Sequence, residues 1–263
     1  MKFTVAVICS TDHLIAQCLD SIPHDIPVIV VLNFPDEYVQ RVVYADSRVM
    51  VYRHDERNLG LLRQLAAERC ETPAICYLDS DCVFCSGATN AIENELDSFY
   101  AVSIPMHYDH NSFATKIVAE CRRFTTPDEL LFMPFAFRLD IQDLIGKLFH
   151  PGLSWGEDSD QRKRISEAGI EFTISKGIVR HKPLTFKEDA QSASRLGRGS
   201  YIQEINGLSN SRRLSKDISI IHEIKAAHRC CKKAGIWAAL YHFFVWRPAY
   251  KYGYWKARKE NEH

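Results

Sequence analysis

Ala74-Ile75-Cys76-Tyr77-Leu78-Asp79-Ser80-Asp81 runs an apolar segment directly into two aspartates separated by one serine. An uninterrupted apolar run of this length reads as a strand buried on both faces, as in the parallel sheets of α/β proteins. Side chains two residues apart on a strand share a face, so Asp79 and Asp81 are expected to aim both carboxylates at one ligand. Acids at the carboxyl end of a parallel strand stand where α/β sheets bind ligands. Paired hard oxygen donors there suit Mg²⁺ or Mn²⁺ bridging a diphosphate. The same Asp-Ser-Asp also fits a turn or a helix cap.

Working outward, apolar runs alternate with amphipathic segments over the first hundred residues. Strands are expected at Phe3–Ile8, Val28–Leu32 and Arg48–Tyr52, and helices at Asp12–Ile22, Asp36–Ala45 and Leu59–Arg69. Strands alternating with helices give a doubly wound, mostly parallel α/β sheet flanked by helices. Farther on, Phe99–Ile104 reads as a strand and Phe113–Arg123 as a helix. Leu130–Leu139, interrupted by Pro134, reads as an edge strand. Gly156–Ala168 is an expected helix stopped by Gly169, and Ile170–Ile174 and Ile178–Arg180 are strand-like. Past Lys187 the chain reads as a helical extension.

The 33 basic and 33 acidic residues cancel, which argues against nucleic acid as the main partner. The cancellation hides an asymmetry: from Arg212 onward, twelve basic residues face four acidic ones. Nine cysteines are an odd number, and Met1-Lys2-Phe3-Thr4 leads straight into a strand with no signal-peptide pattern. Free thiols and a cytoplasmic location are therefore expected. Cys82-Val83-Phe84-Cys85 lacks the second ligand pair that structural zinc needs.

Three more segments stand in order around the two aspartates. Arg57-Asn58-Leu59-Gly60, with Arg63-Gln64, lies upstream; Ser154-Trp155-Gly156-Glu157-Asp158-Ser159-Asp160 and Ile178-Val179-Arg180-His181-Lys182 lie downstream. This ordered set resembles the family 2 glycosyltransferases of GT-A fold, and its W-G-E-D portion is similar to the acceptor-side motif of galactosyl- and N-acetylgalactosaminyl-transferases. The resemblance runs from about Phe3 to about Lys187. It implies a catalytic domain over 1–187, with a nucleotide-binding half to about 105 and an acceptor half over 106–187, followed by a helical region, 188–263.

The resemblance implies roles at matching positions. Asp79 would lie near the donor ribose, and Asp81, joined by His181, would hold Mn²⁺ or Mg²⁺. Ser10, Thr11, Asn33, Asn58 and Arg63 would line the donor side, with Arg57 and Arg63 suited to clamp phosphates. Trp155, Gly156 and Glu157 would position the acceptor, and Asp158 would act as general base. The reaction implied is inverting transfer of a sugar from a nucleoside-diphosphate donor, a UDP-sugar first, to a hydroxyl of a saccharide or lipid-linked acceptor. One departure concerns the base: Leu32-Asn33-Phe34-Pro35 stands where relatives carry an acidic pair. Glu157, Asp158 and Ser159 also fit first-turn residues that stabilise a helix dipole. Trp155 fits a core position equally well.

Residues 234–246 are apolar and aromatic but shorter than the roughly 20 residues needed to cross a bilayer. Basic residues and tyrosines flank them, a mix that suits a helix on an anionic membrane surface, spanning 229–258. Packing on the catalytic domain or a second subunit is the alternative. Two rivals to the enzyme reading stand: a nucleotidyltransferase acting on sugar phosphates, and a non-catalytic scaffold. Against the first, Cys9-Ser10-Thr11-Asp12-His13 lacks the glycines of a phosphate loop.

Overall fold

The computed structural model describes residues 1–125, 133–207 and 220–261. Its first half alternates as the apolar pattern requires: β1 (Phe3–Cys9), α1 (Ile15–Asp20), β2 (Val28–Leu32), α2 (Glu37–Ala45), β3 (Val49–Arg53), α3 (Leu59–Glu68) and β4 (Ala74–Asp79). There follow β5 (Cys82–Phe84), α4 (Ala88–Leu96), β6 (Ala101–Ser103), β7 (Met106–Tyr108), α5 (Phe113–Thr125) and β8 (Phe135–Arg138). A short α6 (Gln142–Ile145) leads to α7 (Glu157–Glu167), β9 (Phe172–Ile174) and β10 (Val179–His181). The last part holds α8 (Phe186–Ile205), α9 (Ile220–Tyr241), a π turn at His242–Trp246 and α10 (Arg247–Asn261).

Seven strands form one sheet in the order β3-β2-β1-β4-β8-β6-β9. β1 to β4 are mutually parallel, β9 is parallel to β6, and β8 is antiparallel to both its neighbours. From β1 the chain winds outward through β2 and β3, then crosses back to lay β4 on the other side of β1. That reversal opens a crevice over the carboxyl ends of β1 and β4, the usual ligand position in such sheets. Ser10 and Asp79–Asp81 stand there. Alternation along β4 divides the core: Ala74, Cys76 and Leu78 face one apolar layer, Ile75 and Tyr77 the other. Leu62 and Ala66 of α3 and Ile165 of α7 close the second layer.

Two expectations are corrected. Pro134 does not mark an edge strand: β8 is interior, between β4 and β6. The proline precedes Phe135, outside the ladder, where its missing N–H removes no sheet hydrogen bond. Residues 130–132 of that expected strand lie outside the described set. Asp79 and Asp81 do not share one strand, because β4 stops at Asp79. Asp81 belongs to the turn into β5, and β5 pairs antiparallel with β10, which sets His181 opposite Cys82.

The chain divides into two compact units, Met1–His107 with Asp128–His181, and Tyr108–Pro127 with Lys182–His263. The sequence division assigned 106–187 to one half; here Tyr108–Pro127 groups with the C-terminal helices. In the second unit Val118 and Cys121 of α5 pack on Ala238 and Tyr241. Asp189 is fully buried, bonded by Arg122 Nε and by the Tyr241 hydroxyl at 2.7 Å. A buried carboxylate requires such partners. α8 opens on a reciprocal capping box between Thr185 and Glu188. It crosses α10 so closely that a Cβ on Gly253 would lie 1.9 Å from the Ser194 carbonyl oxygen, and one on Gly197 would lie 2.0 Å from that of Tyr250. All nine cysteines are free.

Candidate active site

Arg63 organises the floor of the crevice. It projects from α3, 4% exposed, under Asp79. Its main-chain oxygen accepts a hydrogen bond from Tyr77 Oη at 2.8 Å, and its guanidinium lies over the rings of Phe149 and Phe135. Nη1 donates to Glu157 Oε1, and Nη2 stands 3.5 Å from Asp79 Oδ1. One buried cation thus holds two carboxylates from distant segments. Burial pushes the Glu157 carboxyl up to about 7, against the pull of Arg63. Asp79 is also raised: desolvation leads, Asp81 and Asp158 add to it, and Arg63 and His181 oppose it.

Beside this pair lies a candidate metal centre. Asp81 Oδ2 is 3.3 Å from His181 Nε2, and Cys82 Sγ completes a group whose ligand atoms lie within 4.8 Å of one another. Burial drives the metal-free Cys82 thiol well up, and hard divalent cations prefer oxygen and nitrogen donors to sulfur. The effective donors are one carboxylate and one imidazole, with Asp79 adjoining. That oxygen and nitrogen set fits Mn²⁺, and Mg²⁺ less well.

Asp158 enters from α7. Gly156, at φ +77°, reverses the chain so that Glu157 and Asp158 open the helix. A left-handed conformation at this point requires a residue without Cβ. Three acids occupy the first turn, and their surroundings differ. Glu157 is buried on Arg63, and Asp160 pairs with Arg164 at 2.9 Å. Asp158 is only half-buried; Oδ1 accepts from the Ser159 N–H at 2.7 Å, and its charge acts on Asp79.

The approach to α7 is clasped to α3. Asn58 Oδ1 caps α3 through the Leu61 N–H at 3.1 Å, while Nδ2 donates to the Pro151 carbonyl. The Gly60 N–H donates to the Leu153 carbonyl at 3.0 Å. A Cβ on Gly60 would fall 2.5 Å from the His150 oxygen and 2.6 Å from the Leu153 oxygen. The Arg57-Asn58-Leu59-Gly60 segment therefore fixes the backbone leading to Trp155.

The remaining expected residues fall as follows. Ser10 and Thr11 follow β1 at the crevice, Ser10 partly buried with Oγ 3.4 Å from the Phe34 oxygen, Thr11 exposed. Asn33 is buried and turned to the backbone, Nδ2 donating to the carbonyls of His54 and Glu56. Trp155 is partly exposed. Asn58, Arg63 and Glu157 are held by protein partners. The sequence reading passed over Phe34, which is 46% exposed at φ +48°, with the Arg57 guanidinium 5.6 Å over its ring and its N–H bonded to Asp55. An aromatic directly before Pro35 at a strand end was the available signal.

No protein-family model matches the chain, and no curated protein matches it. Solved structures do. S. aureus TarS 1–349, in complex with UDP-GlcNAc, is 14% identical with a TM-score of 0.52, over 99% of this chain and 92% of that one. GalNAc-T7, with UDP, GalNAc and Mn²⁺, is also 14% identical with a TM-score of 0.56, over 95% of this chain and 58% of that one. The fold is that of the GT-A glycosyltransferases, with a mostly parallel seven-stranded sheet flanked by helices.

Proposed function

We propose that this chain is a metal-dependent glycosyltransferase, moving a sugar from a UDP-sugar to a hydroxyl of a saccharide or lipid-linked acceptor with inversion. One observation carries the reading. Asp81 and His181, distant in sequence, meet at 3.3 Å beside Asp79 at the carboxyl end of β4, with Asp158 near enough to perturb Asp79. The fold agrees, and its neighbours were solved with UDP-GlcNAc and with UDP, GalNAc and Mn²⁺.

Asp81 and His181 would hold the divalent ion, Mn²⁺ or Mg²⁺. When bound, it neutralises charge on the departing diphosphate. Asp158 takes the proton from the acceptor hydroxyl as its oxygen bonds the anomeric carbon, and the bond from that carbon to the diphosphate oxygen breaks, releasing UDP. A positioned carboxylate contributes about 10²–10⁴ in rate. Ser10 and Thr11 line the donor side, with Asn33 fixing the backbone behind them, and Trp155 and Gly156 line the acceptor side. Arg63, Glu157 and Asn58 act indirectly, by fixing Asp79 and the backbone before Asp158.

The test is release of free nucleotide from a panel of sugar donors, with Mn²⁺ and with chelator, and the anomeric configuration of the product by NMR. Metal-dependent UDP release and an inverted product are expected. Pyrophosphate release would instead indicate a nucleotidyltransferase. No turnover with any donor, together with no metal binding, would leave a scaffold.

A further inference from the structure

The helical run that restarts after Gly235 is apolar on two faces, and protein covers one of them. Ala238 and Tyr241 pack on α5, and Gly253 and Ala257 are buried where α10 meets α8. On the other face Ile236, Leu240, Phe244, Pro248 and Tyr252 recur at every fourth residue, followed by Trp255, and all are exposed. On a steady 3.6-residue period a four-residue spacing drifts about 40° per step, so this row would wind off its face. The π turn at His242–Trp246 places an extra residue in one turn and takes back part of that drift. The row extends about 30 Å at 1.5 Å per residue. Phe244 is 75% exposed, and a soluble helix ordinarily keeps its apolar positions to one covered stripe.

The charge beside the row says what covers it. From Arg229 to Asn261 there are eight lysines and arginines and one acid, Glu260. Lys232, Lys233, Lys251, Lys256 and Lys259 are exposed, and Lys259 Nζ lies 4.3 Å over the Trp255 ring. Two copies of so basic a face would repel each other, which disfavours self-association. Aliphatic side chains have no partner on a nucleic acid. An anionic lipid surface offers both an apolar layer for the row and phosphates for the lysines. Among the described residues no helix is long and apolar enough to cross a membrane, so the contact is with the surface.

We propose that this row docks the protein on the headgroup region of an anionic phospholipid bilayer, with Leu240 and Phe244 reaching the acyl boundary and the lysines meeting headgroup phosphates. The proposal goes beyond the glycosyltransferase reading and does not depend on it.

Flotation of the full chain with vesicles tests it, comparing phosphatidylcholine alone with phosphatidylcholine carrying about 30 mol% phosphatidylglycerol. Binding to the anionic vesicles is expected, with a tenfold or greater loss at about 0.5 M salt. The same loss is expected in Leu240→Ser/Phe244→Ser and in Lys232→Glu/Lys233→Glu. These side chains are exposed, so circular dichroism should be unchanged. If a variant fails to fold, the salt and lipid dependence of the unaltered chain still decides. No binding, equal binding to both vesicle types, or undiminished binding by the serine variant would overturn the proposal. So would a lipid-free dimer that dissociates when Phe244 is replaced.

Discussion

Asp158 and Arg63 both act on Asp79, yet their replacement should fail in opposite ways. Asp158 is half-buried, with the Arg162 charge acting on it, and Asp158→Asn keeps the side chain's shape while losing proton acceptance. Turnover should drop about 10²-fold or more at an unchanged melting temperature. Turnover within a few-fold of the unaltered chain would remove Asp158 from the mechanism. Arg63 lies beneath two carboxylates, and Arg63→Met strands Glu157 in a dry site. Breaking a buried pair from one side costs about 3–5 kcal/mol, readable as a lower urea midpoint. Adding Glu157→Gln should return much of that loss. A simple sum of the two penalties would mean that the residues do not act as a pair.

Among the elements, the clasp between α3 and the loop before α7 ties geometry to chemistry. Gly60→Ala puts a methyl within 2.6 Å of two carbonyl oxygens, so one segment must move. Overpacking of this kind costs about 1–3 kcal/mol, and displacement of the loop should also lower turnover. A variant with unaltered stability and activity would show that the close approach has no role. The π turn allows a separate experiment. Burial, with Arg247 adding, lowers His242 to about 4 from the usual 6.5, and Asp189 partly opposes this. Its folded pKa is below its unfolded value, so the unfolded chain binds the extra proton. This contribution is present above about 6.5 and fades as pH falls towards 4. Melting temperatures over that window should fall less steeply for His242→Phe; parallel curves would contradict the assignment. At this scale the sequence was informative where period was informative. The continuous apolar runs of β1, β2 and β4 can be read directly, whereas Pro134 points to an edge only if it lies inside the strand, and β8 begins one residue after it.

For the molecule as a whole, a divalent ion that binds only the folded chain must stabilise it. At a hundredfold excess over the dissociation constant the gain is about 2.7 kcal/mol, so Mn²⁺ should raise the melting temperature and Asp81→Asn should abolish the rise. An equal rise in that variant would move the metal elsewhere. Mg²⁺ should give a smaller shift, because imidazole suits a transition metal better. Asp79, Asp81 and Asp158 could be singled out in the sequence because they stand in an ordered set of motifs, although acids at a strand end and a helix start also serve turns and helix dipoles. The engagement of Asn58, Arg63 and Glu157 was not, since ion pairs and caps between distant segments leave no local period. The clasp bears on how this protein can diversify. Asn58 and Gly60 hold the carbonyls of Pro151 and Leu153, not their side chains. Substitutions along that loop can therefore accumulate without changing its path, and the start of α7, with Asp158, keeps its place.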